Sequence, residues 1–132
     1  MNVYARLHSY YSMLRAVASP QMLLDAAHQA GYKAAVLTDH LSLTGAVSFY
    51  KACKERSIQP IFGVSFPVQM ALSEPDHHSV SVFREPFVEG NLVLLVKNTN
   101  GWENLCRLLS AYQFALNEGR PFAYDSMLAD HA

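Results

Sequence analysis

No apolar run in this 132-residue chain approaches the ~20 residues that a membrane-spanning helix needs, and the N-terminal "MNVYARLHSYYS" lacks the apolar centre of a secretory leader. The expected location is the cytoplasm, with no membrane partner. No basic block is present either: ten Lys and Arg stand against eleven Asp and Glu, for a formal charge of −1. Net charge therefore makes no case for a free-standing nucleic-acid binder, and contact with DNA is expected to be indirect. The two cysteines, Cys53 and Cys106, fall outside any CxxC spacing and inside amphipathic segments. Core thiols in a reducing compartment are expected, rather than a disulfide or a metal pair. The chain also lacks a glycine-rich phosphate loop, a G-x-S-x-G nucleophile context and any internal repeat.

What is present is an alternation of strand and helix patterns. "NVYARLH" alternates Val3, Ala5 and Leu7 with polar neighbours, the pattern of a strand with one buried face, and ends at His8. Ser19 and Pro20 then supply an N-cap and a first-turn proline, and Leu23, Ala26, Ala27 and Ala30 form a helical stripe that Gly31 stops. "AAVLT" is a short continuous apolar run, read as a strand covered on both faces, ending on Asp39 and His40. A second helix is predicted over about Leu43 to Arg56, with Ala46, Phe49, Tyr50 and Cys53 on one face, and "QPIFGVSFPV" gives a third strand.

From Met70 to Gly90 the period is lost, Ser, Pro, Glu and Asp collect, and an irregular insertion is expected. "NLVLLV" restores a buried strand. The helix after it sets Leu105, Leu108, Leu109, Tyr112 and Leu116 at helical spacing with Gly119 beyond its end, and "RPFAYDSMLADHA" begins another. Alternating strands and helices imply an α/β fold with crossover connections and a mainly parallel sheet, in a single domain spanning residues 1–132.

In such sheets the chemistry collects at the C-terminal ends of the strands. His8 closes the first strand and Asp39-His40 the second, so two imidazoles and a carboxylate are expected on one rim. These are ligands for Zn, Mn or Fe, and Asp39 with His40 are also candidates for acid-base catalysis. His28, on the polar side of its helix, His77-His78, in the insertion, and His131, in the tail, are assigned no chemistry. Tyr10-Tyr11 and Trp102 are expected to cover core edges rather than stack on bases.

Three blocks in this order, "LHSYYSML", "LTDHLSLTGAVSFYKACKERSIQPIFGV" and "NLVLLVKNTNGWENLCRLLS", closely resemble the PHP (polymerase and histidinol phosphatase) domain at the N-terminus of bacterial C-family DNA polymerases, of the DNA polymerase III alpha type. The resemblance implies a distorted (β/α)7 barrel whose strand ends hold up to three metal ions for phosphoesterase chemistry, such as removal of a mispaired 3′ nucleotide. Position by position, the site implied is eroded. The H-x-H motif keeps His8 but has Arg6 before it, and an acidic position is Arg15. "TDH" is intact as Thr38, Asp39 and His40. A bridging glutamate is replaced by Ser65, and a histidine by Asn91.

Arginine offers no lone pair, and Ser or Asn replaces a bridging carboxylate or an imidazole poorly. His8, Asp39 and His40 remain as residual ligands for Zn or Mn, weakly bound or absent, while Arg6 and Arg15 favour phosphate or an ion pair with Asp39. By the same resemblance the barrel's later strands and ligands, and any polymerase palm, lie beyond residue 132, so a truncated half-barrel is expected, prone to self-association through its edges. "SMLRAVASPQML" leans toward the error-prone polymerase branch, and "GAVSFYKA" toward the replicative one.

Three functions follow from this reading. The first is a degenerate PHP region with a structural or docking role, whose partners would be the rest of a polymerase chain or another replisome protein such as a proofreading exonuclease. The second is a metal-dependent phosphoesterase, of 3′-5′ exonuclease or phosphatase type, with a reduced ligand set. The third is a truncation product with no surviving role.

Overall fold

Each run of strand pattern in the sequence forms a strand of one sheet. The computed structural model describes residues 2–71, 87–119 and 125–129. Its elements run β1 (Val3–Leu7), α1 (Pro20–Gln29), β2 (Ala34–His40), α2 (Ala46–Glu55), β3 (Gln59–Ala71), β4 (Phe87–Leu95), α3 (Thr99–Asn117) and α4 (Asp125–Ala129). The sheet order is β1-β2-β3-β4, with the first three strands parallel and β4 antiparallel to β3. This is the α/β, mainly parallel sheet that the alternation implied, and the half-barrel that the PHP resemblance implied.

The connections follow from local chemistry. Ser19 is extended at the start of α1, its Oγ accepts the Met22 N–H at 3.1 Å, and Pro20 occupies the first turn. Gly31, at φ +77°, takes the left-handed turn beyond the helix. The buried face of α1 is Pro20, Leu24 and Ala27 rather than the expected stripe, since Leu23 is half-buried and Ala26 and Ala30 are exposed. α2 starts at Ala46, three residues after Leu43, because the chain leaving β2 first turns through Leu41 in a left-handed conformation (φ 52°).

All three long helices cover one face of the sheet. Leu37 pairs with Phe62 and Asp39 with Val64 in the β2–β3 register, so these residues share that face. Under α1 and α2 lies a cluster of Leu7, Leu24, Ala27, Leu37, Phe49 and Cys53, and under α3 a second of Val64, Phe66, Val68, Leu105, Leu108 and Tyr112. Each fully buried Leu or Phe contributes about 1.5–3 kcal/mol through removal from water. Phe62 joins the two halves, edge-on to Phe49 at 5.8 Å and to Trp102 at 5.6 Å. Trp102 thus covers the core edge, whereas Tyr10 is 43 % exposed. In α3 the buried residues are Leu105, Leu108, Tyr112 and Ala115, while Leu116 is exposed.

Two further details depart from the sequence pattern. Met70, Ala71 and Phe87–Gly90 are ladder residues pairing β3 with β4, although they were expected in the insertion. The rest of that insertion, residues 72–86 with His77 and His78, and the tail residues 130–132, with His131, lie outside the described residues. The second departure is in β1, where Val3 and Ala5 are exposed and Leu7 is buried.

That last difference has a physical cause. The register steps from Tyr4↔Ala35 to Leu7↔Leu37, so three steps on β1 face two on β2, and Arg6 within the bulge sits at φ 60°. The bulge inverts the alternation. Tyr4 and Leu7 come onto the helix-covered face, where both pack against the first cluster, and Arg6 and His8 go to the other face.

Candidate functional site

Asp39 and His40 are consecutive residues at the end of an extended strand, so their side chains leave opposite faces of the sheet. Asp39 lies on the helix side, 1 % exposed. It accepts the Ser9 backbone N–H at 2.6 Å, the Ser9 hydroxyl at 2.7 Å and the Ser12 hydroxyl at 2.7 Å. Ser12 Oγ in turn accepts the His40 backbone N–H at 2.9 Å, tying the turn after β1 to the end of β2. A buried carboxylate is tolerable only with such full satisfaction, and charge-assisted bonds of this length are the strong ones. The expected pairing of Asp39 with Arg6 or Arg15 is therefore replaced by two serines.

His40 pairs with Ser65 across the β2–β3 ladder and lies on the opposite face. There it lines a cavity of about 240 Å³ together with Arg6, His8, Arg15, Ser65 and Asn91. β1 and its end supply Arg6 and His8, the following loop Arg15, β3 Ser65 and β4 Asn91. Of the three ligands expected from sequence, the structure brings His8 and His40 together and sets Asp39 elsewhere. It gathers the two arginines with them, and with Ser65 and Asn91. His8 Nδ1 is buried and has no hydrogen-bond partner among the described residues. The His40 imidazole is held below its ordinary pKa by burial first, then by the positive charge of Arg15 and by His8.

Backbone strain concentrates around this cavity. Among the described residues, four non-glycine residues adopt positive φ: Arg6, Leu14, Leu41 and Ser57. Arg6 lines the cavity, Leu14 precedes Arg15 and Leu41 follows His40. Each left-handed residue of this kind costs about 1–2 kcal/mol, and such strain persists where the surrounding structure imposes it, often at functional sites.

Ser9 and Ser12 were not foreseen from the sequence. Their one signal was the pair of serines flanking "YY", since Ser9 C=O accepts the Ser12 N–H at 2.8 Å to close the turn. A second cavity, of about 260 Å³, is lined by Leu92, Leu94, Leu105, Leu108 and Leu128 among others, and among the described residues no titratable side chain lines it. It belongs to the α3 core.

Comparison with known proteins agrees with the geometry. The profile of the PHP domain matches residues 5–132. The chain belongs to the PHP domain family. Among curated relatives, the DNA polymerase III alpha subunit of Bacillus subtilis is 36% identical over 111 residues, covering 84% of this chain and 9% of that protein. The corresponding subunit of Treponema pallidum is 33% identical, covering 98% of this chain and 11% of that protein. An error-prone DNA polymerase of Idiomarina loihiensis is 32% identical, covering 89% and 10%. The chain spans about a tenth of the length of these relatives.

Solved structures show the same fold at low identity. A protein of Bifidobacterium adolescentis assigned as a metal-dependent phosphoesterase superposes with a TM-score of 0.59 at 15% identity, covering 87% of this chain and 34% of that one. An amidohydrolase from Chromobacterium violaceum, with bound sulfate and no metal, gives 0.53 at 20% identity, covering 93% and 41%.

The Bifidobacterium adolescentis neighbour is assigned as metal-dependent, so the donor set of this cavity can be judged against that chemistry. Among the described residues the cavity offers two imidazoles, one hydroxyl and one amide, and no carboxylate lines it. Among the described residues no group of three or more His, Cys, Asp or Glu is placed to hold an ion. Two guanidiniums line the same space, and a dication about 5 Å from one of them is repelled by roughly 7 kcal/mol at an effective dielectric of about 20. The residues present do not fit a multi-ion phosphoesterase centre. No divalent centre of that kind is assigned to the pocket.

Proposed function

We propose that this chain is the PHP region of a bacterial DNA polymerase III alpha-type protein, cytoplasmic and serving replication or error-prone synthesis. In this reading it acts as a structural or docking module rather than as a metal-dependent hydrolase. One observation carries this: Arg6 and Arg15 line the strand-end cavity, and among the described residues no carboxylate does. A site that has lost its bridging acids binds divalent ions weakly. The partners fitting this reading are the remainder of a polymerase chain or another replisome protein such as a proofreading exonuclease.

A second reading keeps phosphoesterase activity on a reduced ligand set. It is favoured by the proximity of His8 and His40 and by the unpartnered His8 Nδ1. One experiment separates the two. Metal-stripped protein is titrated with Zn or Mn and assayed on a model phosphodiester. The docking reading expects neither stoichiometric binding nor hydrolysis. Both appearing, and both vanishing in His40→Ala, overturns it.

A further inference from the structure

The pocket lined by Arg6, His8, Arg15, His40, Ser65 and Asn91 retains everything needed to hold an anion on protein groups alone. We propose that it binds a phosphate dianion, as inorganic phosphate or as a terminal phosphate monoester, directly and without a metal ion. This rests on the reading of the pocket as no longer a divalent-metal centre.

Charge is the first argument. Both guanidiniums are permanently protonated, and among the described residues neither has a carboxylate partner, the ion pairs there being those of Arg56 with Asp25 and Glu55. Asp39 is on the other face and saturated by Ser9 and Ser12. By strand register the carboxylate on the pocket face is Glu89, two residues from Asn91, exposed and not lining the cavity. Two uncompensated cations in one small cavity match a dianion better than the single charge of a phosphodiester.

Donor chemistry and size agree. Guanidinium forks, the Ser65 hydroxyl, the Asn91 amide and two imidazoles converge from four strands and a loop, the arrangement that reads tetrahedral oxyanions. Among the described residues the buried His8 Nδ1 has no hydrogen-bond partner, which leaves it available to a ligand. The volume of about 240 Å³ lies below the range of about 300–1,000 Å³ typical of pockets for larger organic ligands. It suits a phosphate group rather than a whole nucleotide.

Strain is the independent argument. Arg6 holds φ 60° although glycine would adopt that conformation freely, and the left-handed Leu14 and Leu41 flank Arg15 and His40. A bulge whose only purpose was to fit the sheet edge would be served better by glycine. At Arg6 the conformation turns a cation into the pocket.

The test uses the full chain in EDTA, by isothermal titration with inorganic phosphate, with a 5′-phosphorylated oligonucleotide and with the same oligonucleotide bearing a 5′-hydroxyl. Saturable one-to-one binding of at least one phosphate form is expected, weakened at least tenfold in Arg6→Gly and in Arg15→Ala. Arg6→Gly should melt at or above the wild-type temperature in phosphate-free buffer, yet lose the rise in melting temperature that phosphate gives the wild type. Binding of free phosphate alone, or of the phosphorylated strand as well, supports the proposal and assigns the source. Equal binding of the 5′-hydroxyl strand overturns the dianion assignment. No binding in EDTA, or binding indifferent to both substitutions, overturns the site and leaves the docking reading standing. Binding that appears only with added Zn or Mn overturns both.

Discussion

The Asp39 carboxylate grips Ser9 with both oxygens, Oδ1 taking its backbone N–H at 2.6 Å and Oδ2 its hydroxyl at 2.7 Å. Together with the Ser12 hydroxyl on Oδ1, these bonds fix the turn that carries Arg15. Asp39→Ala would leave two hydroxyls and an N–H without their acceptor. Buried hydrogen bonds to charged groups are worth about 1.5–3 kcal/mol each and add imperfectly, so a loss of about 3 kcal/mol or more is expected. Asp39→Asn, which keeps one acceptor, should lose about half as much. Urea unfolding checks both, and wild-type-like midpoints for the two variants would show that Asp39 does not hold the turn.

Gly45 sits against this same network. A Cβ there would lie 2.8 Å from Tyr11 Cδ2, 2.9 Å from Asp39 Oδ2 and 3.3 Å from Ser9 Oγ. The conflict is steric, because Gly45 has an ordinary helical backbone (φ −74°). Gly45→Ala is expected to destabilise by about 1–3 kcal/mol, the usual effect of overpacking. A calorimetric melt unchanged from the wild type would place the slack elsewhere in the loop.

His40 ties stability to pH. Burial, Arg15 and His8 lower its pKa in the folded protein below the unfolded value of 6.5. Between the two values the unfolded chain binds more protons, so stability is full above about pH 6.5 and falls as pH drops toward the folded pKa. An NMR titration of the ring should give a midpoint below 6.5, moved upward in Arg15→Ala. His40→Asn should flatten the pH dependence of the urea midpoint just below about pH 6.5. A ring midpoint above 6.5 would contradict the electrostatics described for the pocket.

Much of this was legible in the sequence because it depends on local pattern. The continuous run Ala34–Leu37, the cap Ser19-Pro20 and the α3 stripe of Leu105, Leu108 and Tyr112 each signal an element by its own period. The pocket's membership was legible in a different way, as four departures from the family's separate motifs, Arg6, Arg15, Ser65 and Asn91, that the fold brings to one place. Two things were hidden. A left-handed arginine leaves no compositional trace, so the bulge that exposes Val3 and Ala5 could not be read from alternation. Nor does adjacency in "TDH" disclose that Asp39 and His40 face apart, which follows only once the segment is known to be extended to its last residue.

If the pocket descends from a metal centre, returning its lost donors should return its ions. The variant combining Arg6→His, Arg15→Asp, Ser65→Glu and Asn91→His removes both guanidiniums and adds two imidazoles and two carboxylates beside His8 and His40. Those are the ligand types that hold Zn or Mn, and removing the arginines ends the repulsion that opposes a dication. Arg6→His keeps a side chain at a left-handed position, so the bulge should survive at similar cost. Titration of the metal-stripped variant should show at least a hundredfold tighter Zn or Mn binding than the wild type, with the phosphate affinity of the EDTA-treated protein falling in parallel. Wild type binding the ion as tightly as the variant would mean that His8 and His40 suffice, and the reduced-ligand phosphoesterase would then be the better reading. A correctly folded variant that gains no metal would mean that the family ligands do not converge in this pocket.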